Sequence, residues 1–174
     1  AAVFGALLTK VGIYAIFRMY TLIFYHQPQI THSLMAVLAG LTMLLGGIGA
    51  IAQWDIRKIL GYNVIIGVGF VISGLAVFTS SAVAGAIYYV IHDMVTKALL
   101  FLLGGTVISI VGTGKLKEIS GLISNHPSLG WMFFITTLAL AGVPPLSGFI
   151  GKILIIKEGI AKGVFQTGFY WLAG

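Results

Sequence analysis

Asp93 and Lys97 lie four residues apart in the stretch 82–111, which has His92 as its only other strongly basic or acidic residue. On a helix, positions i and i+4 share one face, so the two side chains can form an ion pair. His92 points about 100° away from Asp93 on the same helix. Carboxylate, amine and imidazole can each take up and release a proton, so the group has the parts of a proton relay. It also reads as a self-neutralising pair that makes membrane insertion tolerable, and the two readings overlap. Lys10 stands nine residues into another apolar run, at least ~14 Å from the first residue by helical rise, and is a second candidate. Arg18 is eight residues further on, beside Tyr20 and Tyr25, where an interfacial anchor is expected. A charge at the centre of a bilayer costs from ~2.5 to more than 10 kcal/mol, so ionisable groups at that depth are functional candidates by default.

The third candidate is Lys152. It follows Gly142-Val143-Pro144-Pro145-Leu146-Ser147-Gly148, which interrupts an apolar run near its middle. Two prolines remove backbone donors and clash with the preceding turn, so the helix breaks between Gly142 and Gly148. Broken helices persist at membrane depth where they are enclosed by protein or line a polar cavity, a common plan for transporter sites. Four residues past Gly148, Lys152 is expected in the first turn of the second half-helix, near that helix's positive end. The dipole disfavours a second positive charge there, and burial acts in the same direction.

Other chemistries find no support. The chain has no cysteine, so disulfides, thiolate metal sites and thiol catalysis are excluded. His26, His32 and His126 are too scattered for a metal site, and no cofactor is implied. Gly112-Thr113-Gly114-Lys115 lacks the first glycine and the spacing of a phosphate-binding loop. Serine and threonine residues have no partner at catalytic-motif spacing.

The elements that position these residues must be membrane helices. Of 174 residues 59% are hydrophobic and 8% charged, against roughly 25% charged in soluble domains. Such a chain faces lipid, and its net charge of +6 reads as basic loops of a membrane protein, with nucleic acid excluded as a partner. Runs of about 20 apolar residues predict one transmembrane domain with spans over 1–24, 33–53, 59–81, 82–111 and 128–156, the last broken at 142–148. A further run over 163–174 is cut short. The chain opens without Met in one apolar run and stops in another, so it is expected to be an internal piece of a longer protein. Lys and Arg gather in the loops 54–58 and 112–127 and are absent from the two alternate loops, which predicts that the basic pair is cytoplasmic. Glycines inside the spans, such as Gly46, Gly47, Gly49, Gly67, Gly69, Gly104 and Gly105, are expected to let helices pack closely.

Four strings in order resemble one family, the antiporter-like membrane subunits shared by Mrp cation/proton antiporters and respiratory complex I. They are Leu7-Leu8-Thr9-Lys10-Val11-Gly12-Ile13-Tyr14 with Arg18; Asp55-Ile56-Arg57-Lys58-Ile59-Leu60-Gly61-Tyr62; Lys97-Ala98-Leu99-Leu100-Phe101-Leu102; and Gly142 through Lys152. The resemblance covers essentially the whole chain. It implies an all-α polytopic bundle built from two inverted five-helix repeats, of which this chain would hold the end of the first and most of the second. It places Lys10, the polar group of 82–111 and Lys152 on a central hydrophilic axis, and makes 128–156 the broken helix of the second repeat. The family often carries histidine four residues before the lysine at 97; here Asp93 stands there, with His92 one place earlier. Lys152, together with Gly121-Leu122-Ile123-Ser124-Asn125-His126-Pro127, looks closest to the D-type branch of the Mrp antiporters. The implied function is exchange of a monovalent cation, Na⁺, for protons in a prokaryotic plasma membrane, in assembly with other membrane subunits. The alternative is a proton-pumping membrane subunit of an NADH:quinone oxidoreductase or a membrane-bound hydrogenase, a part of an enzyme with no redox centre of its own.

Overall fold

The computed structural model describes residues 2–23 and 28–163. Helices account for its regular structure: α1 (Ala2–Leu22), α2 (Pro28–Ile51), α3 (Ile56–Val77), α4 (Ser80–Val111), a 3-10 turn (Leu116–Glu118), the short α5 (Leu122–Asn125), α6 (Pro127–Ala141) and α7 (Ser147–Ala161). Three stretches, Ile30–Ile51, Ile56–Val77 and Ser80–Val111, are long and apolar enough to cross a membrane. His26 and the apolar run after Gly163 lie outside the described residues.

Several helix ends differ from the sequence expectation for local reasons. Helix α2 starts at Pro28 and not at Ser33, because proline is preorganised for the first helical position. Asp55 starts α3 earlier than expected, its side chain accepting from Arg57 N at 2.8 Å. At the other end α3 stops at Val77, where Phe78 turns left-handed at φ 48°. The next residue, Thr79, is extended and accepts from Ala82 N at 3.1 Å, so it caps α4. Two residues therefore reverse the chain between α3 and α4.

At the opposite end the same two helices are joined by backbone bonds. Ile56 N donates to Gly114 O at 3.0 Å and Leu116 N to Trp54 O at 2.8 Å, around an antiparallel bridge between Asp55 and Lys115. Lys117 Nζ sits 4.6 Å from the centre of the Trp54 ring. The two basic loops thus meet on one side of the bundle, as expected of loops sharing a membrane face.

Helix α4, at 32 residues, is ~48 Å long and forms the axis of the fold, packing against α1, α3, α6 and α7, while α2 packs on α3. Contact is close where glycine allows it. A side chain at Gly69 of α3 would meet Ala39 O at 3.0 Å and Met43 Cγ at 2.9 Å, both on α2. Such fit holds helices together where lipid removes the hydrophobic driving force. Among the described residues nothing lies within 4 Å of a Cβ at Gly47 or Gly105. Large apolar side chains cover the outside, among them Leu44 and Leu45 of α2 and Ile91, Val95 and Leu102 of α4.

Two apolar cores flank the middle of α4. Toward the basic loops, Ile56 and Leu60 of α3 pack with Leu100, Leu103 and Val107 of α4 and Leu129 of α6. Toward the other end, Ile13, Val71, Ala86, Tyr89 and Ile155 form a second cluster. Between them, one turn on from Tyr89, lies a layer of charge.

Candidate functional site

Asp93 is fully buried on α4, ~20 Å along the helix from Ser80. Its Oδ2 accepts from two ammonium groups. Lys97 Nζ, one turn on in the same helix, donates at 2.8 Å, and Lys10 Nζ donates from α1. Both lysines are buried as well, Lys10 at 5% and Lys97 at 2% exposure. The sequence spacing predicts the Asp93–Lys97 pair; α1 brings Lys10 onto the same oxygen. The other carboxylate oxygen, Oδ1, is buried with no hydrogen-bond partner among the described residues.

Fully ionised, the three side chains carry a net charge of +1. Loss of one proton from either lysine leaves a neutral, still paired carboxylate and ammonium. The cluster can therefore change charge without stranding a buried ion, a fault that costs ~3–5 kcal/mol when one partner of a buried pair is removed.

The space for this cluster comes from α3. A Cβ on Gly67 would clash with Lys97 Nζ and lie 3.0 Å from Asp93 Oδ1. Gly67 is thus a site residue, although its place inside an apolar span suggests helix packing alone. No signal in a single sequence separates a glycine facing an ammonium from one facing a methyl group.

The helix break lies where the prolines place it. Helix α6 ends at Ala141, Gly142 turns left-handed at φ 81°, and α7 begins at Ser147. Gly142 supplies the positive φ that a helix end of this type needs. The expected enclosure is incomplete among the described residues: Val143, Pro144 and Pro145 are exposed. Behind them, Leu138, Ala139 and Leu140 at the end of α6 are half-buried and Ala141 is exposed.

The last four carbonyls of α6 all have a donor, two from the backbone and two from one side chain. Val143 N donates to Leu138 O at 3.2 Å and Gly142 N to Ala139 O at 3.2 Å. Lys152 Nζ donates to Leu140 O at 2.8 Å and to Ala141 O at 2.9 Å. This corrects the expected setting of Lys152. It is the sixth residue of α7, and helical side chains lean toward the N-terminus, so its long stem reaches back across the break. Its ammonium rests on the negative end of α6, where a cation is favoured, and not against the positive end of α7.

His92 serves the break as well. Nε2 lies 3.2 Å from Ala139 O on α6 and Nδ1 2.9 Å from Ser147 Oγ on α7. A carbonyl only accepts, so Nε2 carries hydrogen, and in the neutral ring Nδ1 accepts from the Ser147 hydroxyl. One imidazole on α4 thus holds both halves of the broken helix. Gly148 permits this approach, since a Cβ there would lie 2.7 Å from His92 Nε2. His92 faces away from the Asp93 cluster, as its angular offset predicts.

Tyr89 connects the two groups. It is buried one turn before Asp93, with its ring centre 5.9 Å from Lys152 Nζ and 6.2 Å from the His92 ring. Sequence reasoning passes over Tyr89 because its polar tip gives no hydropathy signal. Arg18 is exposed, 5.9 Å from the Tyr14 ring, as expected of an anchor. Among the described residues no group of acidic, histidine or cysteine side chains could hold a metal ion.

The family described as NADH:quinone oxidoreductase/Mrp antiporter, transmembrane, matches residues 1–173. The chain belongs to this family. It is 53% identical over 165 residues to the D subunit of the Na(+)/H(+) antiporter of Bacillus subtilis, covering 95% of this chain and 34% of that protein. It is 54% identical over 156 residues to the corresponding D subunit of Alkalihalophilus pseudofirmus, covering 90% and 32%. Among solved structures, the Mrp complex from Dietzia sp. superposes with a TM-score of 0.87 at 33% identity, over 96% of this chain and 31% of the matched one. The chain thus has the antiporter-like membrane fold, and it spans about a third of the length of the curated relatives it matches.

Proposed function

We propose that this chain is part of the ion path of a D-type subunit in a multisubunit Na⁺/H⁺ antiporter of a bacterial plasma membrane, assembled with other membrane subunits. The observation that carries the reading is Asp93, fully buried and shared by Lys10 and Lys97 in a charged layer between two apolar cores. Protons pass along Lys10, Asp93 and Lys97 and are exchanged with Lys152 beside the helix break. His92 borders the path and holds the break in shape. The names of the relatives at 53% and 54% identity support antiport over a proton-pumping subunit of NADH:quinone oxidoreductase. The loops 54–58 and 112–127 face the cytoplasm, by their excess of Lys and Arg.

The test is Na⁺-dependent proton movement in everted membrane vesicles carrying the whole antiporter, with each variant at matched abundance. Lys152→Ala removes a titrating amine, and Lys152→Arg installs a guanidinium that stays charged; both are expected to abolish exchange. Lys152→Glu can still titrate and retains part of it. Wild-type exchange by the Ala or Arg variant would reduce Lys152 to packing.

A further inference from the structure

The two basic loops carry more positive charge than their own carboxylates answer. Residues 54–58 and 112–118 hold Arg57, Lys58, Lys115 and Lys117 against Asp55 and Glu118, a balance of +2. Both acids are already engaged. Asp55 caps α3, accepting from Arg57 N at 2.8 Å. Glu118 accepts from Thr113 Oγ1 at 2.7 Å and pairs with Lys115 at 3.3 Å. Arg57, Lys58 and Lys117 are exposed, and among the described residues none of the three has a carboxylate within ion-pair distance. The opposite end of the bundle differs, since Lys162 there is turned onto Val77 O and Phe78 O at 3.1 and 3.4 Å.

The fold gathers these free cations at one level. Backbone bonds and the Asp55–Lys115 bridge fix the start of α3 beside the 3-10 turn, so Arg57 and Lys117, sixty positions apart, share one end of the bundle. Trp54 is exposed between them, and Lys117 Nζ lies 4.6 Å from the centre of its ring. An exposed indole belongs at the boundary between hydrocarbon and headgroups. It therefore sets the ammonium over it at the depth of lipid phosphates. Directly before this loop, Ile51 ends the exposed apolar row Leu44, Ile48 and Ile51 of α2. The cations thus stand where a lipid-facing surface reaches the water.

We propose that Arg57, Lys58 and Lys117, gathered around Trp54, form a binding surface for anionic phospholipid headgroups of the leaflet that the basic loops face. Phosphate oxygens match guanidinium and ammonium donors, and the acyl chains of the same lipids cover Ile51 and Leu116, both exposed. Basic clusters at the cytoplasmic ends of membrane helices draw anionic lipid in this way. An acidic protein surface would answer the charge but would leave the apolar row without a reason to be there. The inference rests on the membrane orientation of the loops and is independent of which ion the chain carries.

The test puts a fluorescent label on Leu116→Cys in the whole antiporter, with its other cysteines replaced, in phosphatidylcholine vesicles. Brominated lipids quench the label when they lie beside it. Brominated phosphatidylglycerol is expected to reach a given quenching at about fivefold lower mole fraction than brominated phosphatidylcholine, the effect of roughly one surface cation. High salt should shrink the difference. Arg57→Gln, Lys58→Gln and Lys117→Gln together should remove it, while Arg18→Gln, near the opposite face, should leave it unchanged. Quenching by brominated phosphatidylcholine shows in each variant that the label still lies at the bilayer. Equal quenching by the two lipids without these replacements overturns the proposal, and so does a preference that survives all three. Loss of partner subunits from the triple variant, with no lipid preference before it, would show that the surface faces protein and would overturn the proposal as well. Na⁺-dependent proton movement is read separately in the same vesicles, so antiport stands or falls apart from this surface.

Discussion

Gly67 on α3 faces Lys97 on α4 so closely that one added carbon would clash with the ammonium nitrogen. The two residues are thirty positions apart in the chain and belong to one site. Gly67→Ala must push Lys97 off Asp93 or push α3 off α4. Overpacking of this kind costs ~1–3 kcal/mol. The variant is expected to insert and assemble but to lose most Na⁺-dependent proton movement in everted vesicles, with a lower melting temperature in detergent. Full exchange by Gly67→Ala would mean that the Lys97–Asp93 contact is dispensable.

Asp93 and its two lysines should differ sharply in what their removal does. Lys97→Met leaves Lys10 and Asp93 as a neutral pair, so the protein should stay folded while transport is lost. Asp93→Asn leaves two buried ammonium groups facing a neutral amide, at a cost of ~3–5 kcal/mol. Thermal unfolding of the purified complex should rank Lys97→Met well above Asp93→Asn. The reverse order would show that the carboxylate does not hold the cluster together.

His92→Ala removes the bond to Ala139 O and the bond to Ser147 at once. The end of α6 should loosen, while the distant Asp55–Lys115 loop is unaffected. Hydrogen exchange should speed up at the amides of Val143 and Leu146, which bond to Leu138 O and Val143 O. Unchanged exchange there would exclude His92 as the clamp on the break.

Asp55 and Lys115 face each other across an antiparallel bridge, where opposed α-carbons lie ~4.5–5.5 Å apart. Disulfides accept that spacing. Asp55→Cys with Lys115→Cys should cross-link under mild oxidation. Single cysteines at Lys58 and Lys117 should both resist an impermeant reagent applied to intact cells, and one at Ser80 should react. Labelling at Lys58 and Ser80 to the same extent would overturn the orientation.

The sequence exposes the charges and the break because each violates a simple rule: an ion in an apolar run, or a proline inside a helix. Helical geometry also gives the Asp93–Lys97 pair and the different heading of His92. It stops at the surface of one helix. That Lys10 joins Asp93, that Gly67 makes room for Asp93 and Lys97, and that His92 meets Ala139 and Ser147 depend on which helices become neighbours. Lys152 is the instructive case. Local reasoning sets its charge against the dipole of its own helix, whereas four methylenes carry the ammonium past that helix to the opposite pole of the preceding one.

The α3–α4 hairpin is shut at both ends, by the Phe78-Thr79 reversal and by the backbone bonds that tie Trp54 and Ile56 to Leu116 and Gly114. A frame closed in this way resists shear, so its two members cannot slide past each other. Asp93 and Lys97 ride on that frame, whereas Lys152 is carried by α7, which continues from α6 across the break. Any displacement that changed the distance between the two sets of charges would have to move α7 relative to α4. The break is the hinge for such a movement.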